Sequence, residues 1–305
     1  MFRRILAPLD GTKRAEEAIP FARELASSPD AQIFLLHVEP PAAAVIDEIA
    51  IDNRMEAIAA ELRAAGVKAH IVTEFGKAAP AIASAAELDK VDIIVLAPEP
   101  RNLLEGLRRP SVTANVLART AAPVLIVPPN VREASAKLLT FGGAQVIVPL
   151  DGSPLAEKAL PLALRVARRY DRPLLLLRVI PPVQIIAAGP ETYPLVQDSH
   201  DMEIREAHEY LSKLRERLLR TENVSVQTEF SHGIPAEVIL AKAADKPGSV
   251  LVMSTHGRTG LARLLMGSVT LAVARKASIP LLIVPSAAGA QTATAGTDAA
   301  GAAQS

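Results

Sequence analysis

The chain states one pattern twice, and that constrains its fold more than any other feature. Residues 3–25, RRILAPLDGTKRAEEAIPFAREL, return at 144–166 as AQVIVPLDGSPLAEKALPLALRV, with Pro-Leu-Asp-Gly identical and Asp151 lying 141 positions after Asp10. A second match joins the ends of the halves: SVTANVLARTAAPVLIVPP from Ser111 and SVTLAVARKASIPLLIVPS from Ser268, 157 positions apart. The spacing grows by 16, so the second copy carries extra residues in its middle. A repeat this long is a duplicated domain rather than a solenoid unit, and differences between the copies show what each has kept or lost.

Each half alternates strand and helix patterns. In the first, Arg4–Leu9 is a short apolar run stopped at Asp10-Gly11, and Ala15–Ala26 has helical spacing. A strand follows at Gln32–Val38, a helix at Asp47–Ala65 ending on Gly66, a strand at Val67–Thr73 and a helix at Ala79–Glu87. The half closes with Asp92–Leu96, Val112–Arg119 and Pro123–Val127. The second half predicts strands at Val146–Leu150, Leu174–Ile180, Val224–Glu229, Val250–Met253 and Leu281–Val284. Its helices are predicted at Ala156–Tyr170, Asp201–Arg220, Ala236–Ala244 and Val269–Lys276. Strands apolar on both faces, alternating with helices, mean a parallel sheet covered on both sides. The expected fold is therefore α/β: two tandem doubly wound domains with five-stranded parallel sheets, at 1–128 and 144–285. Residues 129–143 read as a linker, and the small-residue stretch 286–305 as a disordered tail. In such sheets ligands bind beyond the carboxyl ends of the strands, where strand order reverses.

Composition removes several classes of function. With no cysteine, disulfides and thiolate metal sites are excluded. Basic and acidic residues balance at 33 each and aromatics are 3%, so neither a basic stripe nor a stacking surface points to nucleic acid. No apolar run approaches a membrane span and the first residues lack a signal-peptide pattern, so a cytoplasmic protein is expected. The histidines at 37, 70, 200, 208, 232 and 256 form no metal-binding spacing, and no Gly-x-Ser-x-Gly elbow or Walker loop occurs.

The chemistry concentrates after the fourth strand of the second half, in MSTHGRTGLARLLMGSVT from Met253 to Thr270. Gly257, Gly260 and Gly267 leave backbone N–H groups open to phosphate oxygens. Ser268 starts the last helix, whose first-turn amides would face an anion. Arg258 and Arg263 could add charge and His256 a hydrogen bond. The alternative is that these glycines only make turns. Asp151 likewise has two readings, a ligand group or a helix cap.

Ser254-x2-Gly257-x9-Gly267-Ser268, HGRTG, GSV and the closing PLLIVP resemble the universal stress protein family, and both halves resemble it almost throughout. The ATP-binding branch of that family has G-x2-G-x9-G-(S/T) after the fourth strand; here serine replaces the first glycine. The resemblance implies ATP, with Mg²⁺, in the C-terminal domain. It places Asp151, flanked by Pro149 and Ser153, at the ribose and the Val179 backbone at adenine, with Met253 lining the base. Ser254, Gly257 and Gly267 would take phosphates, and Ser268, Val269 and Thr270 would complete the cradle. In the first half the equivalent positions are Ala97, Pro100 and Pro110. Proline has no N–H to offer, so this half is predicted not to hold ATP in that way.

Family members commonly dimerise through the last strand. Pro123–Val127 and Leu281–Val284 would make that contact within one chain, an intramolecular pseudo-dimer, and a homodimer of whole chains stays open. The implied function is an ATP-binding stress-response or signalling module with an unidentified signalling partner. A non-nucleotide interaction module and a slow ATP hydrolase, with His256 the one nearby base, are the alternatives. The extra residues around Pro181–His200 read either as a lid over the adenine site or as a surface insertion.

Overall fold

The computed structural model describes residues 2–40, 45–98, 111–129, 145–182, 193–246, 248–255 and 267–285. In the first half the elements are β1 (Arg4–Leu9), α1 (Lys13–Glu16), α2 (Ile19–Leu25), β2 (Gln32–Glu39), α3 (Val45–Ala64), β3 (Lys68–Phe75), α4 (Ala78–Leu88), β4 (Ile93–Leu96), α5 (Val112–Arg119) and β5 (Val124–Ile126). The second half repeats them as β6 (Val146–Pro149), α6 (Pro154–Glu157), α7 (Leu160–Tyr170), β7 (Leu174–Ile180), α8 (Tyr193–Thr221), β8 (Val226–His232), α9 (Pro235–Asp245), β9 (Val250–Ser254), α10 (Ser268–Lys276) and β10 (Leu281–Val284).

All ten strands form one sheet in the order β3-β2-β1-β4-β5-β10-β9-β6-β7-β8. Each half contributes five parallel strands, doubly wound about β1 or β6. The halves meet where β5 and β10 pair antiparallel, with Leu125 opposite Leu282. Both faces are covered, which is why the central strands are apolar throughout: every residue of β4 and β7 is buried. Phe21, Met55, Leu160 and Leu214 pack on one face, bringing α2, α3, α7 and α8 there. Ile82, Val116, Ile239 and Val273 cover the other with α4, α5, α9 and α10. Among the described residues no helix is long and apolar enough to cross a membrane.

Three predicted elements differ in instructive ways. The single helices expected at Ala15–Ala26 and Ala156–Tyr170 are each broken into a short turn and a longer helix. Pro20 and Pro161 lack the N–H that would continue the first turn, and each sits at the start of the second piece. The helix expected at Asp201–Arg220 instead runs from Tyr193 to Thr221, 29 residues against 20 in α3. Part of the extra sequence of the second half is therefore a helical extension. The lid reading concerns 181–200, of which 183–192 lie outside the described residues.

Candidate functional site

At the carboxyl end of β6 the chain turns through Leu150-Asp151-Gly152-Ser153. Gly152 has φ +81°, a left-handed conformation that a side chain would strain. The Asp151 carboxylate accepts a hydrogen bond from the Ser153 amide at 3.0 Å, and the Ser153 hydroxyl accepts from the Ala156 amide at 3.1 Å. Ser153 is thus the N-cap of α6, while Asp151 closes the turn and lines a cavity beside it.

That cavity, about 330 Å³, lies over the ends of β6, β7 and β9, within the size range of small-molecule sites. Pro149, Asp151, Val179, Met253, Ser254, Gly267, Ser268, Val269 and Thr270 all line it. The backbone of its far wall is tied by three bonds: Gly267 N–H to Thr255 O at 2.7 Å, Thr255 N–H to Val284 O at 3.0 Å, and the Thr270 hydroxyl to Ser254 O at 3.0 Å. Gly267 is the N-cap of α10 and supplies no side-chain cap. An α-helix start without such a cap, set in a cavity wall, presents first-turn N–H groups suited to an oxyanion.

The rest of the lining is apolar apart from one residue that the sequence reading missed. Asp151 and Arg178 are the ionisable side chains among the described lining residues. Arg178, 4% exposed, donates to Leu150 O at 3.4 Å and pairs with Glu203 of α8 at 3.7 Å. Nearby, the Tyr210 hydroxyl donates to Glu157 at 3.0 Å. Burial first, then the negative charges of Glu157 and Asp151, hold that hydroxyl well above the ordinary tyrosine range. Leu150, Ala156, Leu177, Pro181, Pro235 and Ile239 complete the wall. The visible signal for Arg178 was a charge inside an otherwise apolar strand.

The corresponding place in the first half is wired differently. Pro98 stands where Thr255 does and Pro110 where Gly267 does, so neither backbone donor of the second half exists. Arg14 of α1, which corresponds to Leu155, supplies both. Its Nε donates to Pro98 O at 3.1 Å and its Nη2 to Val127 O at 2.6 Å, the equivalents of Thr255 O and Val284 O. Nη1 pairs with Glu17, and the arginine side chain is only 10% exposed. Ser111, the counterpart of Ser268, spends its hydroxyl capping its own helix, accepting from Ala114 N–H at 3.1 Å.

Ser153 borders the turn without lining the cavity. His256, Gly257, Arg258 and Gly260 lie outside the described residues, as do Arg263, Pro100 and Pro110. No group of three or more acidic or histidine side chains suited to a metal occurs among the described residues.

Comparison with known proteins follows the same division. The model of the Universal stress protein family matches residues 1–128 and 144–285. A universal stress protein of Methanocaldococcus jannaschii is 32% identical over 143 residues, 46% of this chain and 81% of that protein. One from Mycolicibacterium smegmatis is 25% identical over 295 residues, covering 92% and 96% of the two chains. The crystal structure of a universal stress protein from Archaeoglobus fulgidus superposes with a TM-score of 0.65 at 19% identity, over 92% of this chain and 95% of that one.

Proposed function

Because the chain belongs to the universal stress protein family, we propose that it is an ATP-binding stress-response module with one nucleotide site, in its second half. The observation that carries the reading is the cavity over β6, β7 and β9, which has an α-helix start without a side-chain cap in its wall. Adenine fits the apolar end between Met253 and the Val179 backbone, the ribose hydroxyls meet the Asp151 carboxylate, and the phosphates meet Ser254, Gly267 and the first turn of α10. Gly257 and its neighbours extend the cradle by sequence. Each amide on a charged oxygen contributes about 1.5–3 kcal/mol, and the helix dipole adds about 0.3–1 kcal/mol.

Magnesium would enter bound to the phosphates and water, since it needs few protein ligands. Neither Asp151 nor Arg178 is assigned a catalytic part, so the proposed output is occupancy rather than turnover. The halves joined through β5 and β10 act as an internal pair in which one member is liganded. Calorimetric titration of Mg²⁺-ATP into protein stripped of nucleotide tests this, with Gly257→Pro copying Pro100 of the first half. Binding near one site per chain, abolished by the substitution, is the expected result. No binding to the stripped protein would favour an interaction module that does not use nucleotide.

A further inference from the structure

Arg178 stands where the first half has His37, and the two side chains do the same first task. His37 Nδ1 lies 3.1 Å from Leu9 O, and the Arg178 guanidinium donates to Leu150 O, the equivalent carbonyl. Arginine then goes further: it reaches α8, adds a full charge and lines the cavity. A buried cation is costly unless its partners are close. Leu150 O lies 3.4 Å from its guanidinium and Glu203 3.7 Å. The partners are also unequal. Arg178 is 4% exposed, whereas the Glu203 side chain is 32% exposed.

The place of this cation is specific. Leu150, whose carbonyl the arginine contacts, immediately precedes Asp151, and Asp151 and Arg178 line the same cavity. Resting on the nucleotide reading above, Arg178 is at the ribose corner, away from the 5′-phosphate cradle at Gly267 and Ser268. In dinucleotide folds an acidic residue takes a free ribose hydroxyl, and an arginine beside it accommodates a phosphate on that oxygen.

We propose that Arg178 is a specificity-determining residue that gives this pocket a second phosphate subsite, for adenosine nucleotides esterified at the ribose 2′ or 3′ oxygen. Glu203 occupies the arginine until such a phosphate replaces its carboxylate with a bidentate contact. No bond is made or broken; the exchange is one anion for another.

The test compares adenosine 5′-monophosphate, adenosine 2′,5′- and 3′,5′-bisphosphate, and ATP by calorimetry on the full chain. Wild type is expected to bind at least one bisphosphate about tenfold more tightly than the monophosphate. Arg178→His, which copies His37, removes that preference, with ATP titrated into the same variant as the reference ligand and thermal unfolding showing that it folds. Glu203→Gln removes the competing carboxylate and sharpens the preference, a change that a purely structural arginine would not produce. Equal affinity for mono- and bisphosphates in wild type, or a preference that survives Arg178→His, overturns the subsite while leaving the ATP site standing. Failure of every nucleotide, ATP included, overturns the site itself and the subsite with it.

Discussion

The two halves share a fold and a strand order, yet their clefts close by different means. In the second half the walls are held by backbone: Gly267 bonds to Thr255 and Thr255 to Val284. In the first half prolines have removed those donors, and one side chain, Arg14, bridges the same two carbonyls. The serine that begins the last helix is spent on capping in one half and lines the cavity in the other. A backbone-closed cleft leaves its helix start for a ligand, whereas a side-chain-closed cleft needs none. Where prolines stand in place of those donors, the two carbonyls are satisfied by a side chain instead.

The largest effect expected from breaking this contrast is on Arg14→Leu, which copies Leu155. It leaves two carbonyls and the Glu17 carboxylate without their cation, and should cost about 3 kcal/mol. Urea unfolding would show it, with faster hydrogen exchange confined to the ends of β4 and β5. The reverse change, Gly267→Pro, imports the first half's proline. Gly267 has φ −61°, which proline adopts without strain, so the substitution deletes the N–H that bonds Thr255 O at 2.7 Å and loosens that wall of the cavity. ATP affinity should fall on the order of 100-fold, about 2.7 kcal/mol, by calorimetry.

Smaller effects come from the long helices that flank both clefts. Glu16 and Glu157 are equivalent, and each anchors the helix beside it. Glu16 takes two bonds from Arg54 of α3, at 2.8 and 2.7 Å, while Glu157 accepts from Tyr210 and from Arg217 at 2.9 Å. Tyr210→Phe should lower stability by about 1 kcal/mol in thermal unfolding. The hydrogen bond and charge of Arg54 hold the Glu16 carboxyl below its ordinary 4.5. Its contribution is therefore present above that value and lost as pH falls through the folded-state pKa. The stability difference between wild type and Glu16→Gln should be full at neutral pH and shrink on acidification.

Much of the fold was legible in the sequence because it depends on local pattern. The repeat, the apolar strands and the Asp-Gly turns give ten strands and their parallel winding directly. Helix breaks at Pro20 and Pro161 were visible but misread, since apolar spacing continues across both. Part of the candidate cavity's lining was legible for the same reason: Asp151, Val179 and Met253 lie at or just beyond strand ends, and Ser268 at a helix start. Arg14 was not, because its partners lie 84 and 113 residues away and an arginine in a first turn resembles any solvated one. Arg178 was missed because position on a strand does not reveal which cavity a charge will border.

Hydrogen exchange on the whole chain, with and without saturating Mg²⁺-ATP, tests the difference between the halves most directly. Protection should rise at Met253–Thr255 and at the Ser268, Val269 and Thr270 amides, with no change at Leu96–Ala97 or Val112–Asn115. Equal protection of both sets, or protection of the first half alone, would contradict the assignment of the nucleotide to the second half.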